Sequence, residues 1–128
     1  MSRAQSTKRG RQRRADAEAR LSDGNRIMAR FWLESRGETL LASGRVALLE
    51  AIDRYGSLSR AAQKMGISYR HAWLLVSSMN RVAQKPLVET FAGGEAGGGS
   101  RLTPQGNKLI EKFYRVKREI KDLVKKIK

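Results

Sequence analysis

The stretch LSRAAQKMGISYRHAWLLVSS, residues 58–78, decides the fold of this chain. It reads as two short helices joined at a glycine corner. Ser57 stands where a side-chain oxygen accepts a hydrogen bond from the free N–H groups of an opening helical turn. Gly66 follows the first helix, at a position that usually needs a left-handed residue. Ser68 caps a second, longer helix, and Ala61, Ala62 and Ala72 leave room for two helices to cross closely. The spacing predicts helices over 58–65 and 69–84. The unit is a helix-turn-helix, whose second helix enters a DNA major groove.

Upstream, GRVALLEAIDRY (44–55) carries an apolar stripe of Val46, Leu49 and Ile52, widened by Leu48 and stopped by Gly56. That is a helix with one buried face. Before it, Ile27, Ala29, Phe31 and Leu33 alternate with Met28, Arg30, Trp32 and Glu34, the period of a half-buried strand. SRGE (35–38) is a turn, and 39–41 pairs back as a short second strand. Met28 and Trp32 fall on the face opposite the core, where a large side chain usually packs on a neighbouring element or subunit.

Downstream, Pro86 breaks the helix and LVETFA (87–92) alternates as a strand. GGEAGGGS (93–100) holds five glycines and forms no regular element. Arg101 and Leu102 then lead to Thr103 and Pro104, an N-cap followed by proline at the first helical position. Strand, flexible loop and short strand behind a recognition helix make a wing. The expected fold is α+β, mainly helical: a winged helix-turn-helix with an N-terminal β-hairpin and a long C-terminal helix.

That last helix, from 104 towards 128, places Leu109, Phe113, Val116, Ile120, Leu123 and Ile127 at spacings of 4, 3, 4, 3 and 4, flanked by Ile110 and Val124. This is the a/d seam of a heptad repeat. At 1.5 Å per residue the helix is ~37 Å long, more than a small winged domain covers. The seam therefore reads as a dimer interface between two copies. A helix lying on anionic lipid is the weaker reading, because the stripe is narrow and lipid favours a broad one.

Charge frames these elements. Across 128 residues, 27 Lys+Arg stand against 12 Asp+Glu, a formal net charge of +15 that attracts polyanions at long range. Residues 1–24 hold seven basic and three acidic side chains, and the last 26 residues hold nine and three. Residues 1–24 read as a basic disordered tail, gaining helix across ADAEARL at most on binding DNA. The division is then a tail (1–24), a winged helix-turn-helix domain (25–102) and a dimerisation helix (103–128). Without cysteine, and with His71 the one histidine, thiolate metal sites and zinc fingers are excluded. No cofactor or small-molecule ligand is expected. No apolar run has the length of a signal peptide or membrane span, so the expected location is the cytoplasm, at the nucleoid, with no membrane partner.

Turning the second helix 100° per residue from Ala72 puts Leu75, Val76, Met79 and Ala83 on the core side. Arg70, Leu74, Ser77, Ser78 and Arg81 point away, with His71 at the edge. Arg70 suits a bidentate bond to guanine, and Ser77 or Ser78 a base or phosphate. Leu74, apolar at the centre of a polar face, suits a thymine methyl. Tyr69, Trp73 and Asn80 share a flank, where Tyr69 reaches a phosphate and Trp73 is expected to be structural. Ser59, Arg60 and the cap Ser68 lie near the backbone phosphates, and Arg101 is the wing's candidate for a minor-groove or phosphate contact.

With motif, wing and glycine loop laid out, the chain resembles the DNA-binding domain of the molybdate-responsive transcriptional regulators, the ModE family, with its LysR-type helix-turn-helix. The resemblance rests on GRVALLEAIDRYGSLSRAAQKMGISYRHAWLLVSSMN and LVETFAGGEAGGGSRLTPQGNKLIEKFY, covering about residues 26–115. It implies a two-fold dimer on operator DNA with helix 69–84 in the major groove. In full-length regulators, small C-terminal β-barrel modules bind molybdate. This chain ends in a basic helix, so no such binding is expected of it. The competing function is a non-specific architectural DNA-binding protein, which the charge alone would support. RNA binding lacks a surface aromatic set, and an enzyme lacks any nucleophile–base pair, metal cluster or phosphate loop.

Overall fold

The computed structural model describes residues 15–92 and 98–127. The expected tail up to residue 14, the centre of the glycine loop (93–97) and Lys128 lie outside these described residues. The rest is three two-stranded antiparallel hairpins and four helices in the order β1 (Ala17–Arg20), β2 (Arg26–Ala29), β3 (Leu33–Ser35), β4 (Glu38–Leu41), α1 (Ser43–Tyr55), α2 (Leu58–Met65), α3 (Tyr69–Ala83), β5 (Val88–Phe91), β6 (Gly99–Leu102) and α4 (Pro104–Lys126). Two compact units are distinguished among the described residues, Trp32–Tyr114 and the pair of segments 15–31 and 115–127.

The larger unit is the winged helix-turn-helix. Its β3–β4 hairpin closes through Arg36 (φ 54°) and Gly37 (φ 81°), the two positive φ values of a type I′ turn. Helix α1 buries Val46, Leu48, Leu49 and Ile52, as its stripe predicts, and Gly56 ends it in the left-handed region. The corner that decides the fold forms as read. Ser57 Oγ accepts from the Arg60 N–H, Gly66 (φ 73°) closes α2, and Ser68 Oγ accepts from the His71 N–H. Helix α3 buries Ala72, Val76, Met79 and Val82. Val82 is buried at the end of the helix, whereas the expected core residues Leu75 and Ala83 are only half-buried. The helix ends on Gln84, a non-glycine residue at φ 65°.

The second unit revises the N-terminal reading. The alternating segment 27–33 is not one strand. Its first half, β2, pairs upstream with β1, in the register Ala17↔Ala29 to Arg20↔Arg26, and its last residue opens β3. Within the polar segment expected to belong to the tail up to residue 24, Ala17–Arg20 is thus a paired strand, and four of the seven residues of ADAEARL are β. Asp16 fastens this hairpin: its backbone N–H donates to Ala29 O (2.8 Å) and its carboxylate accepts the Phe31 N–H (3.0 Å). The expected alternation persists, with Met28 and Trp32 exposed.

Candidate nucleic-acid interface

Helix α3 presents the candidate surface, and its sequence dictates the character of that surface. YRHAWLLVSSMNRVA contains no acidic residue, so nothing on the helix itself repels phosphate. Tyr69, Arg70, His71 and Leu74 are exposed, Ser77 and Ser78 half-buried. Ser68 is exposed and serves as the N-cap acceptor for the His71 N–H (3.0 Å). At the start of α2, Ser59 and Arg60 are exposed. The wing adjoins that start: the Ser100 N–H donates to Gly56 O (3.0 Å), one residue before the α2 cap. A Cβ on Gly99 would lie 2.9 Å from the same oxygen and 2.7 Å from the Phe91 ring, so only glycine allows so close an approach.

Two of the expected cations are engaged within the protein. Arg81 donates two hydrogen bonds to Glu38 at the β3–β4 turn, at 3.1 and 3.0 Å. The bonds and the charge of Arg81 hold the Glu38 carboxyl below the usual carboxylate range, and Glu38 raises Arg81 in return. Arg45 stands close enough for Arg81 to lower its pKa further after burial has done so, while its guanidinium donates to the Thr39 and Leu40 carbonyls. Arg101 donates to Glu89 (2.9 Å) across the wing and lies 4.9 Å over the Phe91 ring. Both arginines remain largely exposed, and each is paired with a carboxylate of the same unit.

Asn80 is the functional residue that sequence reasoning placed on a flank without assigning a role. Its side-chain oxygen accepts the N–H groups of Leu87 (2.8 Å) and Val88 (3.3 Å), and its amide donates to Val88 O (3.2 Å). One side chain thereby fixes where the wing leaves the recognition helix. Trp73, expected to be structural, is 50 % exposed. On α4, Phe113 is only 1 % exposed, so it belongs to the chain's own core and not to a seam open to a partner. Leu109, Val116 and Ile120 are half-buried, whereas Leu123 and Ile127 are exposed.

Comparison with known proteins agrees with this architecture. Residues 44–107, from α1 through the first turn of α4, match the model of the bacterial regulatory helix-turn-helix proteins of the lysR family. The chain belongs to that family. It is similar to the molybdenum transport protein ModE of Azotobacter vinelandii, with 42 % identity over 88 residues, 69 % of this chain and 33 % of that protein. It is 46 % identical to the molybdenum-pterin-binding protein MopB of Rhodobacter capsulatus over 91 residues, 71 % of this chain and 33 % of MopB. Over 69 residues it is 42 % identical to the DNA-binding transcriptional dual regulator ModE of Escherichia coli K12, covering 54 % of this chain and 26 % of that one. The chain spans about a third of the length of the first two of these relatives. The ModE resemblance read from SYRHAW and the glycine-rich wing is therefore found over most of the chain. Among the described residues no helix is long and apolar enough to cross a membrane.

Proposed function

We propose that this LysR-type, ModE-like chain is a sequence-specific transcriptional regulator that binds double-stranded DNA as a two-fold dimer in the cytoplasm. The observation that carries the reading is the exposed, acid-free face of α3, held beside a wing whose take-off point Asn80 fixes. Arg70 reads a guanine by two parallel hydrogen bonds, and Leu74 packs on a thymine methyl. Ser59, Arg60, Tyr69, His71, Ser77 and Ser78 contact phosphates or base edges around them. In the dimer the two α3 helices lie about 34 Å apart, one turn of the duplex, and read a pseudo-palindrome. No molybdate site is assigned to these residues.

Selection of bound sites from random DNA by the purified chain tests this directly. A regulator enriches one pseudo-palindrome and prefers it to bulk DNA by ~10³ or more at fixed salt. Binding with no enriched site would instead make the chain an architectural protein, held by its +15 charge alone.

A further inference from the structure

The exposed apolar surface of the winged domain is concentrated where a purely electrostatic reader would not place it. Tyr69, Trp73 and Leu74 lie within six residues on the first two turns of α3 and are exposed by 56, 50 and 45 %. Elsewhere in this unit the large exposed hydrophobics are single residues, Trp32 and Phe91. Scattered apolar side chains need no explanation, but a contiguous group marks a binding surface.

Helix geometry says where the group faces. At 100° per residue, Tyr69, Trp73 and Asn80 fall within an arc of about 40°. Asn80 is hydrogen-bonded to Leu87 and Val88 at the root of the wing. The same flank, two and three turns earlier, carries Trp73 and Tyr69 and is left open. Leu74 and Arg70 continue the surface round to the outermost face of the helix.

We infer that Trp73 is a specificity-determining residue that, together with Leu74, packs on the C5 methyl groups of neighbouring thymines. The inference rests on the DNA-binding reading above and deepens it. Thymine is the one base that offers an apolar group in the major groove, and apolar side chains are its natural partners there. The occupant is DNA and not protein for two reasons. The patch sits on the N-terminal half of the recognition helix, the half that reaches base edges. Arg70 stands within it and no acidic residue shares the helix, so the surface complements a polyanion.

The test uses the site enriched in the selection experiment, prepared with thymine and again with deoxyuridine, which lacks only the C5 methyl. Affinity is measured by fluorescence anisotropy at one salt concentration. Each contacted methyl contributes about fourfold, the value expected for removing one methyl-sized apolar group from water. With deoxyuridine placed in one half-site only, where one protomer's Trp73 and Leu74 meet two methyls, the unmodified chain should therefore bind roughly 10- to 20-fold more weakly. Trp73→Ala and Leu74→Ala should each bind the thymine site more weakly and reduce that ratio about fourfold. A structural role for Trp73 would weaken both sites equally and leave the ratio alone. Equal affinity of the unmodified chain for the two sites overturns the inference without any variant, while the DNA-binding reading stands. Failure of the chain to select any site overturns both. A Trp73→Ala chain that changes its sedimentation behaviour but keeps the thymine-to-deoxyuridine ratio would make the patch a contact between copies and also overturn it.

Discussion

Glu38 and Arg81 set a limit on what the recognition helix can offer to phosphate. Arg81 lies about 180° from Ala72, on the outermost line of α3, yet its guanidinium is tied to Glu38 by two hydrogen bonds. Such exposed pairs contribute little to stability, so the effect belongs to binding. Glu38→Gln removes the charge that holds Arg81. If the freed guanidinium takes up a phosphate, affinity for DNA rises. The plot of log K against log salt then steepens by about 0.9 per protomer, the increment for one neutralised phosphate, and so by about 1.8 for the proposed dimer. An unchanged slope would mean that Arg81 finds no phosphate even when released. The pH dependence has a definite sign. Because Arg81 lowers the Glu38 pKa, the pair is fully formed above the ordinary carboxylate range and is lost as pH falls through the lowered value. The restraint on Arg81 is therefore complete at neutral pH, and acid releases it.

The joint between α3, the wing and α4 passes through backbone atoms. Asn80 accepts the Leu87 N–H, Leu87 O accepts the Thr103 N–H (2.9 Å), and the Thr103 hydroxyl caps α4 while donating to Pro86 O (2.6 Å). Gly106 lies in the first turn of α4, and a Cβ there would stand 2.4 Å from Leu87 O. In an open helix, glycine to alanine stabilises by up to about 1 kcal/mol. Gly106→Ala should instead destabilise by roughly 1–3 kcal/mol, since the atom it meets is backbone and cannot swing aside. Thermal unfolding should show a lower Tm, and an unchanged or higher Tm would sink the argument. None of this joint was legible in the sequence beyond the Thr103 cap, because a capping signal is local and a close approach between residues 87 and 106 is not. The helices were legible for the same reason: Ser57, Gly66, Ser68 and the apolar stripes each act within one or two turns. The β1–β2 hairpin was not, since Ala17–Arg20 has weak strand propensity and pairs by virtue of Asp16 and its partner strand. The split of segment 27–33 escaped likewise, because side-chain alternation reports the buried face and not which strand lies alongside.

At the scale of the whole molecule, the proposed dimer requires two recognition helices held one duplex turn apart, and α4 carries the candidate seam for it. Its 23 residues span about 35 Å. The heptad seam read from the sequence divides in two along that length. Phe113 is drawn into the core, while the C-terminal half leaves Leu123 60 % exposed, in line with the half-buried Val116 and Ile120; Ile127, 47 % exposed, stands one residue past the helix end at Lys126 rather than within the expected seam. A seam for a second copy is therefore to be sought on residues 116–123 rather than along the full helix. The two halves make opposite predictions for one kind of substitution. Phe113→Asp buries a charge in the core and should abolish folding, so it says nothing about association. Leu123→Asp changes an exposed side chain and should leave the circular dichroism spectrum intact while giving monomers in sedimentation. A monomer engages one half-site, and losing the linked second site should weaken operator binding by about 10²- to 10⁴-fold. Its salt dependence should fall to about half, because half as many phosphates are neutralised per bound species. A dimeric Leu123→Asp chain would move the interface off this seam, and an unmodified chain that sediments as a monomer at micromolar concentration would remove the dimer altogether.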